Sequence, residues 1–503
     1  MNPQSEGEER IGTGVAGLDD ILGTGLPANR LYLVEGDPGT GKTTLALQFL
    51  LEGRAQGETC LYVTLSETKG ELEAVAKSHG WSLNGITLFE LASLEERLNA
   101  QEQYTVFHPA DVELGETFKR ICEQVDRIVP SRVVFDSLSE MRLLARDPLR
   151  YRRQILSLKQ FFSGRQCTVL LLDDRTSQDT DLQLQSIAHG VILLERVAVE
   201  YGGARRRLNV AKMRGLHFQE GLHDFTIKPG GLIVYPRLVT GHLNWDPPEG
   251  PRRVASSGIA ALDTLLGGGL HFGTSTLAVG PAGGGKSTLL TQYAVALANA
   301  GERVACYVFE ETRQNFLECA DGLGMSVRAH LEQGTIAVQQ VDPAEISPGE
   351  FAQNVRRAVD EGKVSVVVID SLNGYLNAMP SENFLLIQMH ELLTYLSTHG
   401  VLTLMTLAQH GLLGNMQSPV DITYLADAVI VLRYFEAFGE VKQAIAVIKK
   451  RTGGHERIIR QFQLSADGIH IGQPLTRFEG VLTGVPVYKG EQGSLIPEPE
   501  TNA

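Results

Sequence analysis

Two glycine-rich segments of the chain have the residue types and the spacing of a phosphate-binding loop. GDPGTGKT begins at Gly36 and GPAGGGKS begins at Gly280, and both fit the pattern G-x-x-x-x-G-K-[ST]. Glycines in such a loop let backbone N–H groups point inward around a phosphate, and the following helix adds the positive end of its dipole. Two matches favour nucleotide sites over chance glycine-rich turns. We predict ATP contacts from Gly36, Asp37, Pro38, Gly39, Thr40, Gly41, Lys42, Thr43, Thr44, Gly280, Pro281, Ala282, Gly283, Gly284, Gly285, Lys286, Ser287 and Thr288.

Each loop is paired with an aspartate that could lie on the magnesium side of the site. In such loops the lysine reaches the β- and γ-phosphates, and the next residue offers a hydroxyl to Mg²⁺. Asp136 and Asp370 end the apolar runs VVFD and VVID. An aspartate there could also cap a helix, but the nearby loops favour a metal role. We predict Mg²⁺ contacts from Thr43, Ser287, Asp136 and Asp370, with the aspartates acting directly or through water.

The two loops belong to a long internal repeat. TGVAGLDDILGTGL begins at Thr13 and SGIAALDTLLGGGL begins at Ser257, an offset of 244 residues (257 − 13), which also separates Gly36 from Gly280. A repeat this long indicates a duplicated domain and not a solenoid unit.

The domain limits follow from the repeat and from the prolines between its copies. We predict a flexible N-terminus at 1–10, a first ATPase domain at 11–246, a linker at 247–256, a second ATPase domain at 257–480 and a flexible tail at 481–503. Prolines in the linker favour extended backbone, and the polar tail lacks an apolar pattern.

Hydrophobic patterning predicts the same fold class for both copies. The apolar runs LYLVEG, CLYVTL, RVVFDS and TVLLLDD alternate with amphipathic stretches such as TTLALQFLLEGRAQG. Such alternation predicts α/β domains with a mostly parallel sheet flanked by helices. Near the end of each copy, segments such as GVILLERVAVEY and RRRLNVAKMRG predict a terminal antiparallel hairpin.

Composition limits the compartment and the partners. The net charge of −14 disfavours general binding to a polyanion, and no run of 18 apolar residues predicts a membrane span. The five cysteines form no C-x-x-C pair, and the N-terminal segment has no apolar core of a signal peptide. We therefore expect a cytoplasmic protein that binds neither membranes nor, in general, nucleic acid.

The order of these motifs resembles a known family. The double phosphate loop, the lead-ins GLDDILGTGL and ALDTLLGGGL, the segment FEET and the segment KMRG resemble the KaiC family of clock ATPases, within the RecA superfamily, over residues 11–475. The resemblance implies two tandem RecA-like P-loop NTPase domains and a homohexameric ring with ATP at subunit interfaces. It also implies a KaiB-like or other signalling protein as partner.

The resemblance assigns roles to acidic residues after the second strand of each copy. In the second copy it implies Glu310 as the general base and Glu311 as its support. The equivalent residues of the first copy are Ser66 and Glu67. Serine is no base at neutral pH without help. The first site therefore uses Glu67, hydrolyses ATP slowly, or mainly binds ATP to hold a ring together.

Two further sets of residues take roles from the resemblance. The K-x-R segments resemble trans-acting fingers that supply a cation to a neighbouring subunit, namely Lys212, Arg214, Lys449 and Arg451. The family phosphorylates an adjacent Ser-Thr pair whose positions fall on Thr423 and Tyr424 here, with Ser418 nearby. The departure at Tyr424 leaves open whether the chain is a Ser/Thr autokinase, and the different tail leaves the partner open.

Three functions compete. The first is an ATP-hydrolysing, ring-forming regulator, and the second is a RecA-type recombinase or helicase that handles DNA. The chain has no Lys or Arg from Ser371 through Leu432, which argues against DNA-binding loops in the second copy, although residues 141–153 are basic. The third is a nucleotide-binding scaffold without turnover, against which the pair Glu310–Glu311 argues.

Overall fold

The computed structural model describes residues 9–91, 109–145, 147–175, 181–198, 202–239, 252–377, 384–409, 424–483 and 485–489. The backbone divides into two compact units, with the division between Arg237 and Leu238. Much of the predicted linker lies outside the described residues, so the domain limits given above stay a prediction.

The first unit alternates strands and helices along most of its length. Its strands are β1 (Arg10–Ile11), β2 (Leu26–Pro27), β3 (Leu31–Gly36), β4 (Cys60–Thr64), β5 (Ile86–Glu90), β6 (Arg132–Asp136), β7 (Thr168–Asp174), β8 (Gly190–Val197), β9 (Arg205–Met213), β10 (Leu222–Lys228) and β11 (Gly231–Tyr235). Its helices are α1 (Leu18–Ile21), α2 (Lys42–Ala55), α3 (Lys69–Ser78), α4 (Pro109–Ile128), α5 (Leu138–Ala145), α6 (Pro148–Phe162) and α7 (Asp181–Ile187).

The second unit repeats this order. Its strands are β12 (Val254–Ala255), β13 (Leu270–His271), β14 (Ser275–Gly280), β15 (Val304–Val308), β16 (Ile336–Gln340), β17 (Val366–Asp370), β18 (Leu402–Ala408), β19 (Ala428–Ala437), β20 (Glu440–Lys450), β21 (Arg460–Ser465), β22 (Gly468–Pro474), β23 (Phe478–Glu479) and β24 (Val487–Tyr488). Its helices are α8 (Ala260–Leu265), α9 (Lys286–Asn299), α10 (Arg313–Gly322), α11 (Val327–Gln333), α12 (Pro348–Asp360), α13 (Leu372–Asn377) and α14 (Leu385–Thr398), with a 3₁₀ turn at Val481–Thr483.

Each unit is built on one large, mostly parallel sheet. Within the described residues, the strand order is β11-β10-β9-β8-β3-β7-β6-β4-β5 in the first unit and β16-β15-β17-β18-β14-β19-β20-β21-β22 in the second. Neighbouring strands pair in parallel along β8-β3-β7-β6-β4-β5 in the first unit and along β16-β15-β17-β18-β14-β19 in the second. The predicted α/β class with a mostly parallel sheet is therefore confirmed.

Apolar residues on both faces of each sheet explain the unbroken apolar runs. In β3, Tyr32 and Val34 join the core formed with α2, whereas Leu31 and Leu33 join the core formed with α5 and α6. Successive strand residues point to opposite faces, so a strand covered by helices on both sides must be apolar throughout. In the second unit, two large cores likewise cover the two faces of the sheet.

The predicted terminal hairpins are present, and each is followed by two further antiparallel strands. Strands β8 and β9 pair antiparallel, as do β19 and β20. Two more antiparallel strands then extend each sheet: β10 and β11 in the first unit, and β21 and β22 in the second. These extra strands were not predicted: β10 and β21 mix polar or charged with apolar side chains, and the apolar run of β11 is only four residues long.

Within the described residues, we find no helix with the length and apolar composition that crossing a membrane would need.

Candidate functional site

The first phosphate loop joins the end of β3 to the start of α2. Lys42 is the first residue of α2 and is buried, and its Nζ donates hydrogen bonds to the carbonyl oxygens of Gly36 at 2.7 Å and Asp37 at 3.1 Å. Gly41 precedes the helix with a φ of 107°, in the left-handed region that favours glycine. The sequence-predicted strand, loop and helix therefore stand in the required order.

The second phosphate loop has the same construction between β14 and α9. The Nζ of Lys286 donates to the carbonyl oxygen of Pro281 at 2.7 Å, and Gly285 has a φ of 91°. A cavity of about 220 Å³ opens beside this loop, and Ser287 and Glu311 are among its lining residues. Burial lowers the pKa of Lys286, while the charges of Asp370 and Glu310 oppose that shift.

The strands added after each hairpin pack against the last glycine of each loop. A Cβ atom on Gly41 would lie 2.6 Å from Cδ1 of Ile227, which belongs to β10. A Cβ atom on Gly285 would lie 2.7 Å from Cε1 of Phe462, which belongs to β21. Both loops are therefore confined by an apolar side chain as well as by their backbone conformation.

The two aspartates lie at the carboxyl ends of β6 and β17. In the first unit the Thr43 hydroxyl donates to Oδ2 of Asp136 at 3.3 Å, and the hydroxyl of buried Tyr62 donates to the same oxygen. Burial raises the pKa of Asp136, although these hydrogen bonds oppose the shift. In the second unit the hydroxyl of Thr406 donates to Oδ1 of Asp370.

The residues at each loop supply oxygen atoms of the kind that Mg²⁺ binds. A hydroxyl and a carboxylate are hard oxygen ligands, and Mg²⁺ commonly binds through one or two carboxylates plus substrate phosphates and water. Among the described residues, no group of three or more His, Cys, Asp or Glu could hold a metal by itself.

Glu67 lies close to the first loop, whereas Ser66 is exposed. Oε2 of Glu67 is buried and has no hydrogen-bond partner among the described residues. Burial and then the charges of Asp136 and Glu71 raise the pKa of Glu67 to about 7, with Lys42 opposing. A half-buried carboxylate with such a pKa has the properties of a general base or acid near neutral pH.

The two glutamates of the second unit have different surroundings. Glu310 is exposed, and its Oε1 accepts a hydrogen bond from the Ser371 hydroxyl at 2.5 Å. Glu311 is half-buried beside the phosphate loop, and burial, then Asp370 and Glu310, raise its pKa. Glu67 and Glu311, which are equivalent in the repeat, therefore share a half-buried setting. The catalytic roles of all three glutamates stay predictions.

In the first unit the K-x-R cations bind carbonyl groups at the end of a helix. Lys212 Nζ donates to the carbonyl oxygens of Gln185 at 2.6 Å and Ala188 at 2.8 Å. Arg214 Nη2 donates to the carbonyl oxygen of Ser186 at 3.1 Å. Cations at the C-terminal end of α7 complement its dipole. These contacts lie within one unit and do not test a role in a neighbouring subunit.

The K-x-R cations of the second unit bind the segment that leads into β19. Lys449 Nζ donates to the carbonyl oxygen of Ala426 at 2.7 Å. Arg451 donates to the carbonyl oxygen of Tyr424 at 3.1 Å and to Oδ1 of Asp427 at 3.4 Å. The predicted fingers are thus connected to the segment where phosphorylation was predicted.

Of the three predicted phosphosites, one is described. Tyr424 is 56% exposed. Thr423 and Ser418 lie outside the described residues.

One close contact of the first loop was not predicted. Oδ1 of Asp174, the last residue of β7, lies 2.7 Å from Lys42 Nζ. The signal was present in the sequence as the polar end of TVLLLDD, where two aspartates close an apolar strand. Nothing in the sequence alone showed that β7 would be the direct neighbour of β3.

These features define a class of protein. Two mostly parallel sheets with flanking helices each carry a phosphate loop that opens a buried helix, and each has an aspartate at the end of a nearby strand. The chain is a tandem P-loop NTPase with RecA-like domains. A family model described as "ATPase: KaiC" matches residues 11–239 and 255–476, and the chain belongs to this family.

Curated relatives match nearly the whole chain at low identity. Circadian clock protein KaiC3 of Synechocystis sp. is 26% identical over 98% of this chain and 97% of that protein. Circadian clock oscillator protein KaiC of Parathermosynechococcus lividus is 27% identical over 94% of this chain and 87% of that protein. The oscillator protein of Synechococcus elongatus is 26% identical over 96% and 93%, respectively.

The contact between Gly285 and Phe462 generates a prediction. Replacing Gly285 with alanine is expected to displace the second loop and weaken ATP binding there by about tenfold, because the added methyl group overlaps Phe462. The measurement is fluorescence titration with a labelled ATP analogue. Gly301→Ala is the matched control, since Gly301 has a φ of 89° and no atom within 4 Å of its added Cβ. Equal loss of affinity in both variants would contradict the explanation.

Proposed function

We propose that the protein is an ATP-hydrolysing, ring-forming regulator with two non-equivalent nucleotide sites in each chain. The observation that supports this most directly is the recurrence of one arrangement in both units. In each, a buried lysine opens a helix, a hydroxyl residue follows it, and an aspartate ends a strand two positions away in the sheet. Membership of an ATPase family agrees with the proposal.

The chain's own residues can perform most of the work of phosphate transfer. Lys42 and Lys286 would hold the β- and γ-phosphates, together with the N–H groups of the loops. Thr43 with Asp136, and Ser287 with Asp370, would hold Mg²⁺. When bound, Mg²⁺ would neutralise charge on the phosphates.

We assign the general base of the second site to Glu310, supported by Glu311. The Glu310 carboxylate would accept a proton from water as the water oxygen bonds to the γ-phosphorus, and the bond to the bridging oxygen would break to release ADP. The hydrogen bond from Ser371 orients one oxygen of Glu310 for this role. In the first site, Glu67 is the corresponding candidate, and its unpartnered buried oxygen supports that assignment.

ATP at subunit interfaces would couple nucleotide state to the shape of a ring. Arg214 and Arg451 are exposed at the ends of β9 and β20, where a neighbouring subunit could approach them. We propose that Lys212, Arg214, Lys449 and Arg451 supply charge to the phosphates of that neighbour in a hexamer. The relatives are named as circadian clock proteins, and we propose a related regulatory role, with a KaiB-like or other signalling protein as partner.

Ser/Thr autokinase activity is a second proposal for the same site. The exposed Tyr424 and its hydrogen bond from Arg451 support it, because they connect the candidate acceptor segment to a candidate phosphate-binding cation. A site that accepts a Ser or Thr hydroxyl would not accommodate the larger tyrosine in the same position. Thr423 and Ser418 are therefore the acceptors that we propose.

DNA handling is the less favoured alternative. Loops that hold a nucleic-acid backbone need cations, and the second copy lacks Lys and Arg from Ser371 through Leu432. Salt-dependent binding to single-stranded DNA would support the alternative.

Removing the proposed bases is expected to separate the two sites. Glu310→Gln should lower phosphate release by about 100-fold at the second site, because an amide cannot accept the proton. Glu67→Gln should remove most of the remaining release. The measurement is phosphate release with ATP and Mg²⁺, repeated with a chelator, which should abolish it. Glu318→Gln, an exposed change on α10, is the control. Full activity in Glu310→Gln would refute that assignment.

The two lysines are expected to differ in their effect on assembly. Lys42→Ala should dissolve the ring, because the first site is proposed to hold subunits together, whereas Lys286→Ala should keep the ring and lose most turnover. Light scattering after gel filtration, with and without ATP, measures the assembly. A ring that forms equally well in both variants and without nucleotide would contradict this division of labour.

Mass spectrometry after incubation with ATP and Mg²⁺ tests the kinase proposal. Phosphate is expected on Thr423 or Ser418 and absent from Tyr424, and Lys286→Ala should abolish the modification because it removes a phosphate contact of the second site. An unmodified chain that still hydrolyses ATP would refute autokinase activity and leave the ATPase proposal intact.

A further inference from the structure

The ammonium group of Lys42 is fully engaged by acceptors of its own chain. A lysine has three N–H donors, and Lys42 Nζ has three close acceptors. These are the carbonyl oxygens of Gly36 and Asp37 and, at 2.7 Å, Oδ1 of Asp174. The side chains of Lys42 and Asp174 are 9% and 28% exposed, respectively. The ion pair is therefore partly shielded from water and stronger than a typical surface pair.

Asp174 is held in place by contacts of its own. The backbone N–H of Asp174 donates to Oγ of Ser139 at 3.1 Å, and the Ser139 hydroxyl shares its one proton between Oδ1 of Asp173 at 3.0 Å and Oδ2 of Asp174 at 3.3 Å. The parallel register pairs Asp174 with Gly36, the first residue of the phosphate loop. The carboxylate is thus fixed by the sheet and by Ser139 beside the group that must bind phosphate.

The second unit has no carboxylate at this place. The same register pairs Gly280 with Ala408. Asn373 follows Asp370 by three residues, as Ser139 follows Asp136, and its side-chain amide makes hydrogen bonds with the backbone N–H and carbonyl of Ala408. Among the described residues, Lys286 Nζ has one hydrogen-bond partner, the carbonyl oxygen of Pro281. The two loops therefore share their backbone design and differ in the state of their lysine.

We propose that Asp174 is an internal competitor of the nucleotide at the first site, a carboxylate that occupies Lys42 until a phosphate displaces it. This inference rests on the proposed binding of nucleotide at the first loop. A phosphate oxygen that binds Lys42 Nζ replaces one of its three acceptors, and the carboxylate is the one whose charge repels the phosphate. The freed carboxylate then stays near the phosphates as a like charge, because Ser139 and the sheet restrain it.

Competition of this kind lowers the affinity of the first site without changing its loop. A hydrogen bond to a charged group is stronger than one between neutral groups, and partial exposure of the pair reduces its effect. We expect nucleotide affinity at the first site to be about tenfold lower than it would be without the carboxylate. The effect should appear for nucleotides whose β-phosphate reaches Lys42 and not for AMP.

The test uses the full chain with Lys286→Ala, so that labelled nucleotide reports on the first site. Asp174→Asn keeps the shape and removes the charge. It is expected to bind N-methylanthraniloyl-ATP and the corresponding ADP about tenfold more tightly, with unchanged AMP binding. Asp174→Glu keeps the charge and should restore weak binding. Glu195→Gln is the matched control for a general loss of negative charge, since Glu195 lies on β8 and pairs with Arg175.

A reciprocal variant keeps the proposal testable if Asp174 variants fold poorly. Ala408→Asp, compared with Ala408→Asn in a chain that keeps both loop lysines, places a carboxylate at the same register position beside the second loop. It is expected to weaken labelled-ATP binding at the second site by about tenfold. Thermal unfolding of each variant separates loss of affinity from loss of fold.

Several results would overturn the inference. Equal ATP affinity in Asp174→Asn and its parent would show that no competition exists. Weaker binding in Asp174→Asn would show that the carboxylate assists binding, for example through Mg²⁺. An equal gain in Glu195→Gln would show a general charge effect. If no variant with an intact Lys42 binds nucleotide at the first loop, the proposed function of that loop fails as well, which the other outcomes leave intact.

Discussion

Parallel pairing of β3 with β7, and of β7 with β6, is the constraint on which the first site depends. Parallel strands end at one edge of a sheet, so residues far apart in the chain meet there. Gly36, Asp136 and Asp174 all end strands at this edge. The equivalent pairing of β14, β17 and β18 places Gly280 and Asp370 in the second unit. Without this pairing, the phosphate loop and the aspartate at the end of β6 would lie in unrelated parts of the fold.

The local parts of this arrangement could be predicted from the sequence. The phosphate loops follow from glycine and lysine spacing, and β3 follows from an apolar run that is buried on both faces. The contacts between distant segments could not be predicted in the same way. The ion pair of Lys42 with Asp174 depends on the order of strands in the sheet. The packing of Phe462 on Gly285 depends on β21, whose sequence has no apolar run that would predict a strand. Side-chain contacts across a sheet carry no signal in local spacing.

The two units share apolar strand interiors and differ in residues at the carboxyl ends of their strands. The buried strand interiors must stay apolar in both units, because helices cover both faces. Residues at the carboxyl edge face the site and are free to differ: Asp174 against Ala408, and Ser66 against Glu310. The chemistry of the two sites can therefore diverge without cost to the fold, and the same loop can serve two purposes.

The two lysines show how that divergence acts on electrostatics. An ammonium group at the start of a buried helix loses hydration and also meets the positive end of the helix dipole, so its charge needs compensation. In the first unit Asp174 compensates it by direct contact. In the second unit burial lowers the pKa of Lys286, and Asp370 and Glu310 oppose that shift from a distance. In the proposed competition, the contact between Asp174 and Lys42 is lost when a phosphate binds. The longer-range attraction of Asp370 and Glu310 for Lys286 can remain. The two loops have nearly the same backbone, but under this proposal nucleotide binding breaks an ion pair of the lysine only at the first loop. The free energy of binding therefore differs between the two sites.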